Sequence, residues 1–212
     1  MRSEAVYEVI AGSRAYDLAL ETSDIDLCRL WDGAYTRSMA GRYNLIRVPR
    51  KEFPALAGRA VDHAYLQWWF PAKFRAEGPL TDYIKEERET FIRANLPHIY
   101  AVLYDRARGL CAYAKELYPA HPKRLAYSTL FYAILARYAE GRSFAEAHRM
   151  DGEVRARLLA MRRKELPLEE ALAVNRAWKE KADQAAGFYD KPTDEPYLIE
   201  VERNLRALLG LK

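Results

Sequence analysis

Apolar and polar positions alternate in short runs over the first third of the chain, then recur at spacings of three and four along the rest. VYEVIA ends against Gly12, DIDLCRLW follows a polar turn, and YNLIRV runs into the basic stretch PRK, so extended segments are predicted up to about Asp62. Between the first two, SRAYDLALE reads as a short helix beginning at Ser13, which makes a strand, a tight turn and a helix. Beyond Asp62, the segments AYLQWWFPAKF, DYIKEERETFIRANL, PHIYAVLYDRARGLCAYAKELY, PKRLAYSTLFYAILARYAEG and PLEEALAVNRAWKEKADQAAG all carry helical periodicity. Pro97, Pro122 and Pro167 suit first helical turns, and Gly78, Gly141 and Gly187 suit stops, while Gly109 fits either a stop or a helix interior. The class is α+β, with a sheet-bearing N-terminal part over residues 1–75 and a helical part over 76–212. No repeat or low-complexity linker separates them; the border is a shift in periodicity.

Composition sharpens this only a little. Half of the 212 residues are hydrophobic, enough to bury a core, so global disorder is excluded. Thirty-four Lys and Arg against thirty Asp and Glu leave a net charge of +4, which suits phosphate-bearing partners without naming one. Cys28 and Cys111 form no CxxC or Cys/His cluster, so a disulfide scaffold and a zinc module are not indicated. The N-terminus lacks the apolar core of a signal peptide, and no run approaches the ~18 apolar residues of a membrane span, so the expected location is cytoplasmic with no membrane partner.

The chemistry gathers in SDIDLCRLW. On a strand, Asp24 and Asp26 point to one face while Ile25 and Leu27 point to the other. Two neighbouring carboxylates repel unless a hard divalent cation takes their oxygens, which makes magnesium the natural ligand. Ser23 and Asp26 also fit a helix-capping pattern, and by themselves the acids favour that reading. Gly12-Ser13 upstream shifts the balance, because glycine lets backbone amides approach an anion and the serine hydroxyl adds a donor. Together the turn and the acids describe a triphosphate cradle beside a metal site.

The run AGSRAYDLALETSDIDL resembles the nucleotidyltransferase signature of the DNA polymerase β superfamily, and within it the bacterial and phage branch that reads GS-x-A-[YH]-G, a short gap, then SD-x-D. Ser13, Ala15, Tyr16, Ser23, Asp24 and Asp26 fall in register with it. The resemblance implies a polymerase β-like mixed sheet with helices followed by a helical bundle. It implies that Gly12, Ser13, Arg14 and Tyr16 meet the nucleotide, and that Asp24 and Asp26 bind Mg2+ or Mn2+. It further implies a third acid from a later strand, for which Asp62 is the best-placed candidate and Glu52 the fallback. The activity implied is transfer of an NMP from an NTP to a hydroxyl acceptor, with release of pyrophosphate. RNA, DNA, a small molecule and a protein side chain all qualify as the acceptor.

The likeness extends into PKRLAYSTLFYAILARYAEG, where the branch carries a lysine near the helix start, so Lys123 and Arg124 are nucleotide-binding candidates. The same cations can instead reach into water or pair with neighbouring acids. Here the chain departs from the pattern: Ser128 and Phe131 occupy the positions of a histidine and an arginine, Asp17 replaces a glycine, and Cys28-Arg29 stands in place of Arg-Gly. These departures support an alternative, a catalytically impaired nucleotide- or nucleic-acid-binding or regulatory protein of the same fold. Trp68, Trp69, Phe70, Tyr127, Phe131, Tyr132 and Tyr138 recur at helix spacing and are assigned to the core. Cys28 reads as a packing residue on the Asp26 face.

Overall fold

The computed structural model describes residues 7–70, 73–75 and 78–212. Residues 1–6 at the N-terminus, Pro71 and Ala72 of the aromatic segment, and Ala76 at the expected domain border lie outside the described residues. Along the chain run β1 (Glu8–Ala11), α1 (Gly12–Ala15), β2 (Ile25–Trp31), β3 (Thr36–Ala40), β4 (Tyr43–Pro49), α2 (Phe53–Ala57), α3 (His63–Trp69), β5 (Lys73–Phe74) and α4 (Pro79–Ala94). There follow α5 (Leu96–Cys111), α6 (Ala114–Leu117), α7 (Pro122–Ala139), α8 (Phe144–His148), α9 (Gly152–Arg163), α10 (Leu168–Gln184), α11 (Ala186–Tyr189) and α12 (Glu195–Leu208). The protein is α+β, with a mixed sheet near the start and a helical C-terminal part.

Contacts gather the chain into two compact units, Met1–Asn95 with Thr193–Lys212, and Leu96–Pro192. Strands give way to helices near residue 75, but α4 and α12 belong by packing to the sheet-bearing unit. Leu198, Val201 and Leu205 form the buried stripe of α12, which packs on α2 and α4. Tyr197 donates its hydroxyl to Glu87 at 2.7 Å, and Asn204 donates to the Tyr83 hydroxyl at 3.3 Å.

In the first unit the strand order is β3-β4-β2-β1-β5. β2 pairs parallel with β4 and antiparallel with β1, while β3 joins β4 as an antiparallel edge. Helices α2, α3, α4 and α12 of this unit pack on one another, and Trp68 of α3 meets Phe74 of β5 with centroids 6.4 Å apart. Trp68 and Trp69 are fully buried, Trp69 stacks on Phe91 with centroids 3.8 Å apart, and its indole N–H donates to the Ala57 carbonyl at 2.8 Å.

In the second unit α7 is the central element, buried along almost its whole length and packed by α5, α8, α9 and α10. Asn175 of α10 donates to both Ser128 Oγ and Thr129 Oγ1 at 3.0 Å, so these two hydroxyls of α7 are paired inside the bundle. Tyr127, Phe131, Tyr132 and Tyr138 are all buried, as their spacing predicted.

Several local expectations differ from the structure. The helix from Ser13 is a single turn, because Asp17 takes the left-handed conformation at φ +54° and turns the chain out of it. β3 carries no apolar alternation and gave no strand signal; it is an exposed edge held by backbone pairing to β4. The long helix expected from Pro97 to Tyr118 is two, α5 and α6, with Gly109 inside the first. The basic stretch after β4 leads straight into a further helix, since Phe53 and Pro54 open α2 and are buried, while Glu52 ahead of them is exposed.

Candidate active site

Antiparallel pairing of β1 with β2 sets Ala11 opposite Asp26, which carries the turn after β1 to the acids. Asp26 is the second residue of β2 and half-buried; Asp24 stands exposed at the strand's entrance. The helix-capping alternative for Ser23 and Asp26 is therefore not realised: Asp26 lies on a strand, and Ser23 closes its own loop by accepting from Leu20 N at 2.8 Å. Arg42 ties that loop down through the carbonyls of Glu21 and Ser23, and its own carbonyl accepts from Ile25 N at 2.7 Å.

Gly12 is left-handed at φ +62°, and a Cβ added there would lie 2.0 Å from Asp26 Oδ2. The turn thus needs glycine twice, for its conformation and for the carboxylate against it. Ser13 is 1% exposed, and its hydroxyl has no hydrogen-bond partner; Arg14 Nε is likewise buried and unpartnered. Two orphaned donors in adjacent residues are costly unless a ligand satisfies them, at about 1–3 kcal/mol each.

Tyr16 is buried beside α3, its hydroxyl 3.5 Å from His63 Nε2 and its ring 5.9 Å from Phe70. Gln67 Nε2 lies 2.9 Å from His63 Nδ1, while Gln67 Oε1 accepts from the Cys28 thiol at 4.0 Å. Burial, with Asp26 next, pushes the Cys28 thiol up to about 12, which leaves it a protonated packing group as expected.

Asp62 caps α3, accepting from Ala64 N at 2.7 Å and Tyr65 N at 3.3 Å. Among the described residues no group of three His, Cys, Asp or Glu side chains could hold a metal ion. The acid expected to complete the pair is thus not assembled with it at Asp62, and Glu52 is an exposed residue ahead of α2. What stands beside Asp26 is Asn44, its partner in the parallel register, which donates Nδ2 to Asp26 Oδ1 at 2.6 Å. Sequence reasoning passed over Asn44; the available signal was a polar residue at a position that shares its strand face with Ile46 and Val48.

Lys123 and Arg124 belong to the second unit. Lys123 is exposed, with Nζ 5.7 Å from the Tyr127 ring centroid, and the Arg124 guanidinium lies 5.5 Å from that of Tyr113. Ser128 and Phe131 are buried in the same unit. Arg29 bonds the buried Glu8 at 2.7 Å together with Arg75 at 2.8 Å.

Comparison with protein-family models finds no match, and comparison with curated proteins finds none. Among solved structures the chain is similar to a nucleotidyltransferase-like protein from Exiguobacterium sibiricum 255-15, at 15% identity and a TM-score of 0.38, covering 95% of this chain and 82% of that one. Among the described residues no helix is long and apolar enough to cross a membrane.

Proposed function

We propose that the first unit carries a metal-dependent nucleotidyltransferase site, moving an NMP from an NTP to a hydroxyl acceptor with release of pyrophosphate. The observation that carries this reading is the approach of the Gly12 turn to the Asp26 carboxylate, with Ser13 Oγ and Arg14 Nε buried and unpartnered in the next two residues. A triphosphate would satisfy both donors, and the missing side chain at Gly12 lets the Asp26 carboxylate lie against the same turn. Asp24 and Asp26 offer the hard oxygen donors that Mg2+ or Mn2+ accepts. Such an ion, when bound, supplies charge neutralisation at the phosphate oxygens.

In the reaction the acceptor oxygen bonds to the α-phosphorus, the bond from that phosphorus to the bridging oxygen breaks, and the acceptor proton passes to solvent. The chain contributes positioning and charge, with no protein nucleophile. An RNA or DNA end, a small molecule or a protein side chain can serve as acceptor. Titration calorimetry of each NTP with magnesium into the wild type and Asp26→Asn tests the site. Binding that needs magnesium and is lost in the variant supports it; no binding of any of the four NTPs sinks it.

A second reading is a nucleotide-binding or regulatory protein without turnover, favoured by the lack of a three-carboxylate group among the described residues. Magnesium-dependent nucleotide binding with no pyrophosphate release across a panel of RNA, DNA and small-molecule acceptors would select it.

A further inference from the structure

Asn44 is 3% exposed and sits between two groups of opposite demand. Its Nδ2 donates to Asp26 Oδ1 at 2.6 Å, and its Oδ1 accepts from Arg37 Nε at 3.0 Å. A guanidinium only donates and an ionised carboxylate only accepts, so the amide has one orientation here and no other side chain of its size meets both partners. An aspartate at this position would keep Arg37 but turn a second carboxylate oxygen on Asp26.

Two consequences follow for Asp26. Its Oδ1 is held by the amide, while Oδ2 is the oxygen nearest the space above Gly12. The free lone pairs therefore lie on the side of the turn. The site also carries two acids, with a guanidinium linked to one of them through the amide. Divalent affinity rises with the number of charged ligands, and an ion held by only one or two carboxylates fills its shell with water, for which charged phosphate oxygens are the stronger replacement.

Building on the nucleotidyltransferase reading, we propose that Asn44, backed by Arg37, is a positioning residue that aims Asp26 at the turn and keeps the site too weakly charged to hold a divalent ion alone, so that the ion enters with the nucleotide. Ion and nucleotide then bind with mutual positive coupling.

The test uses MnCl2 as probe, with free Mn2+ read by electron paramagnetic resonance at low salt, and equilibrium dialysis of each NTP with and without Mn2+. Wild type is expected to bind Mn2+ alone weakly, and Asn44→Asp about 10-fold or more tightly, because a further charged ligand stands beside Asp26. Arg37→Gln, at an exposed position that folding tolerates, is expected to tighten Mn2+ alone several-fold, which keeps the test open if Asn44→Asp does not fold. Mn2+ alone binding equally to wild type and Asn44→Asp, or to wild type and Arg37→Gln where Asn44→Asp does not fold, overturns the role of Asn44 while leaving the nucleotide site standing. NTP binding that is absent, or unchanged in Asp26→Asn, overturns the underlying reading and this inference with it.

Discussion

Replacing Gly12 by alanine separates the two demands made on that residue. The backbone at φ +62° disfavours any L side chain, by about 1–2 kcal/mol. The new Cβ would also lie 2.0 Å from Asp26 Oδ2 and 2.8 Å from its Cγ. The carboxylate cannot simply swing aside, because Oδ1 is bound to Asn44 at 2.6 Å. Losing that charged bond on a half-exposed group adds about 1–1.5 kcal/mol. Together these give about 3 kcal/mol, or roughly 6–12 °C in Tm for a chain of this size. Gly41→Ala is the control, since Gly41 has φ +58° with nothing within 4 Å of its added Cβ. It meets only the backbone term, about 1–2 kcal/mol or roughly 2–8 °C. Calorimetric melting and magnesium-NTP titration of both variants decide the matter: Gly12→Ala is expected to melt lower than Gly41→Ala and to lose nucleotide binding, while Gly41→Ala keeps it. Equal melting losses together with intact binding in Gly12→Ala would refute the reasoning.

Further outcomes are as specific. Asp62→Ala removes the cap of α3 and is expected to cost about 1 kcal/mol in urea denaturation, with Asp62→Ser restoring most of it and Mn2+-NTP binding the same in all three; loss of that binding in both variants would instead make Asp62 a ligand. Arg137 is 3% exposed and donates to the Arg149 carbonyl at 2.9 Å and to Asp151 at 3.2 Å. Arg137→Met leaves that carbonyl unpaired and is expected to lower stability by about 2 kcal/mol, read from the urea midpoint; an unchanged midpoint counts against it. Burial raises the Tyr132 phenol to about 12 from an ordinary value near 10. Its stabilising contribution is full below about pH 10 and is lost as pH rises toward 12, so wild type should lose stability over that window more steeply than Tyr132→Phe. Equal slopes in alkaline denaturation followed at 295 nm would show that this phenol is not the cause.

The parts of the molecule that were legible in the sequence are those fixed by short-range patterning. DIDL alternates with period two, and β2 continues that period so that Asp26 and Cys28 share one face. The aromatic positions at helical spacing became core for the same reason, since large apolar side chains bury wherever one face repeats. β3 was invisible because an exposed edge needs no apolar face; its pairing to β4 supplies the order. Asn44 was missed because its meaning depends on a parallel register with a strand eighteen residues earlier, which local periodicity does not encode. Asp17 stands at φ +54°, a conformation that aspartate is among the few residues to tolerate and that local periodicity does not signal. Asp62 was noticed for its charge and its place before an aromatic helix, and that place is also what makes it a cap.

The return of α12 to the first unit bears on the order in which the protein is made. Asp194 N donates to the Ala94 carbonyl at 2.9 Å, so the chain leaves the first unit and re-enters it at almost the same point. A ribosome therefore releases all of Leu96–Pro192 before the stripe that covers α2 and α4 exists. The inserted helices can close on one another while the first unit waits, with apolar surface open, for the segment Thr193–Lys212. Nascent chains stopped ahead of Glu195 would expose that surface to chaperones and proteases, and adjoining ends at residues 94 and 194 mark where the insertion can be excised or exchanged with little strain on its host.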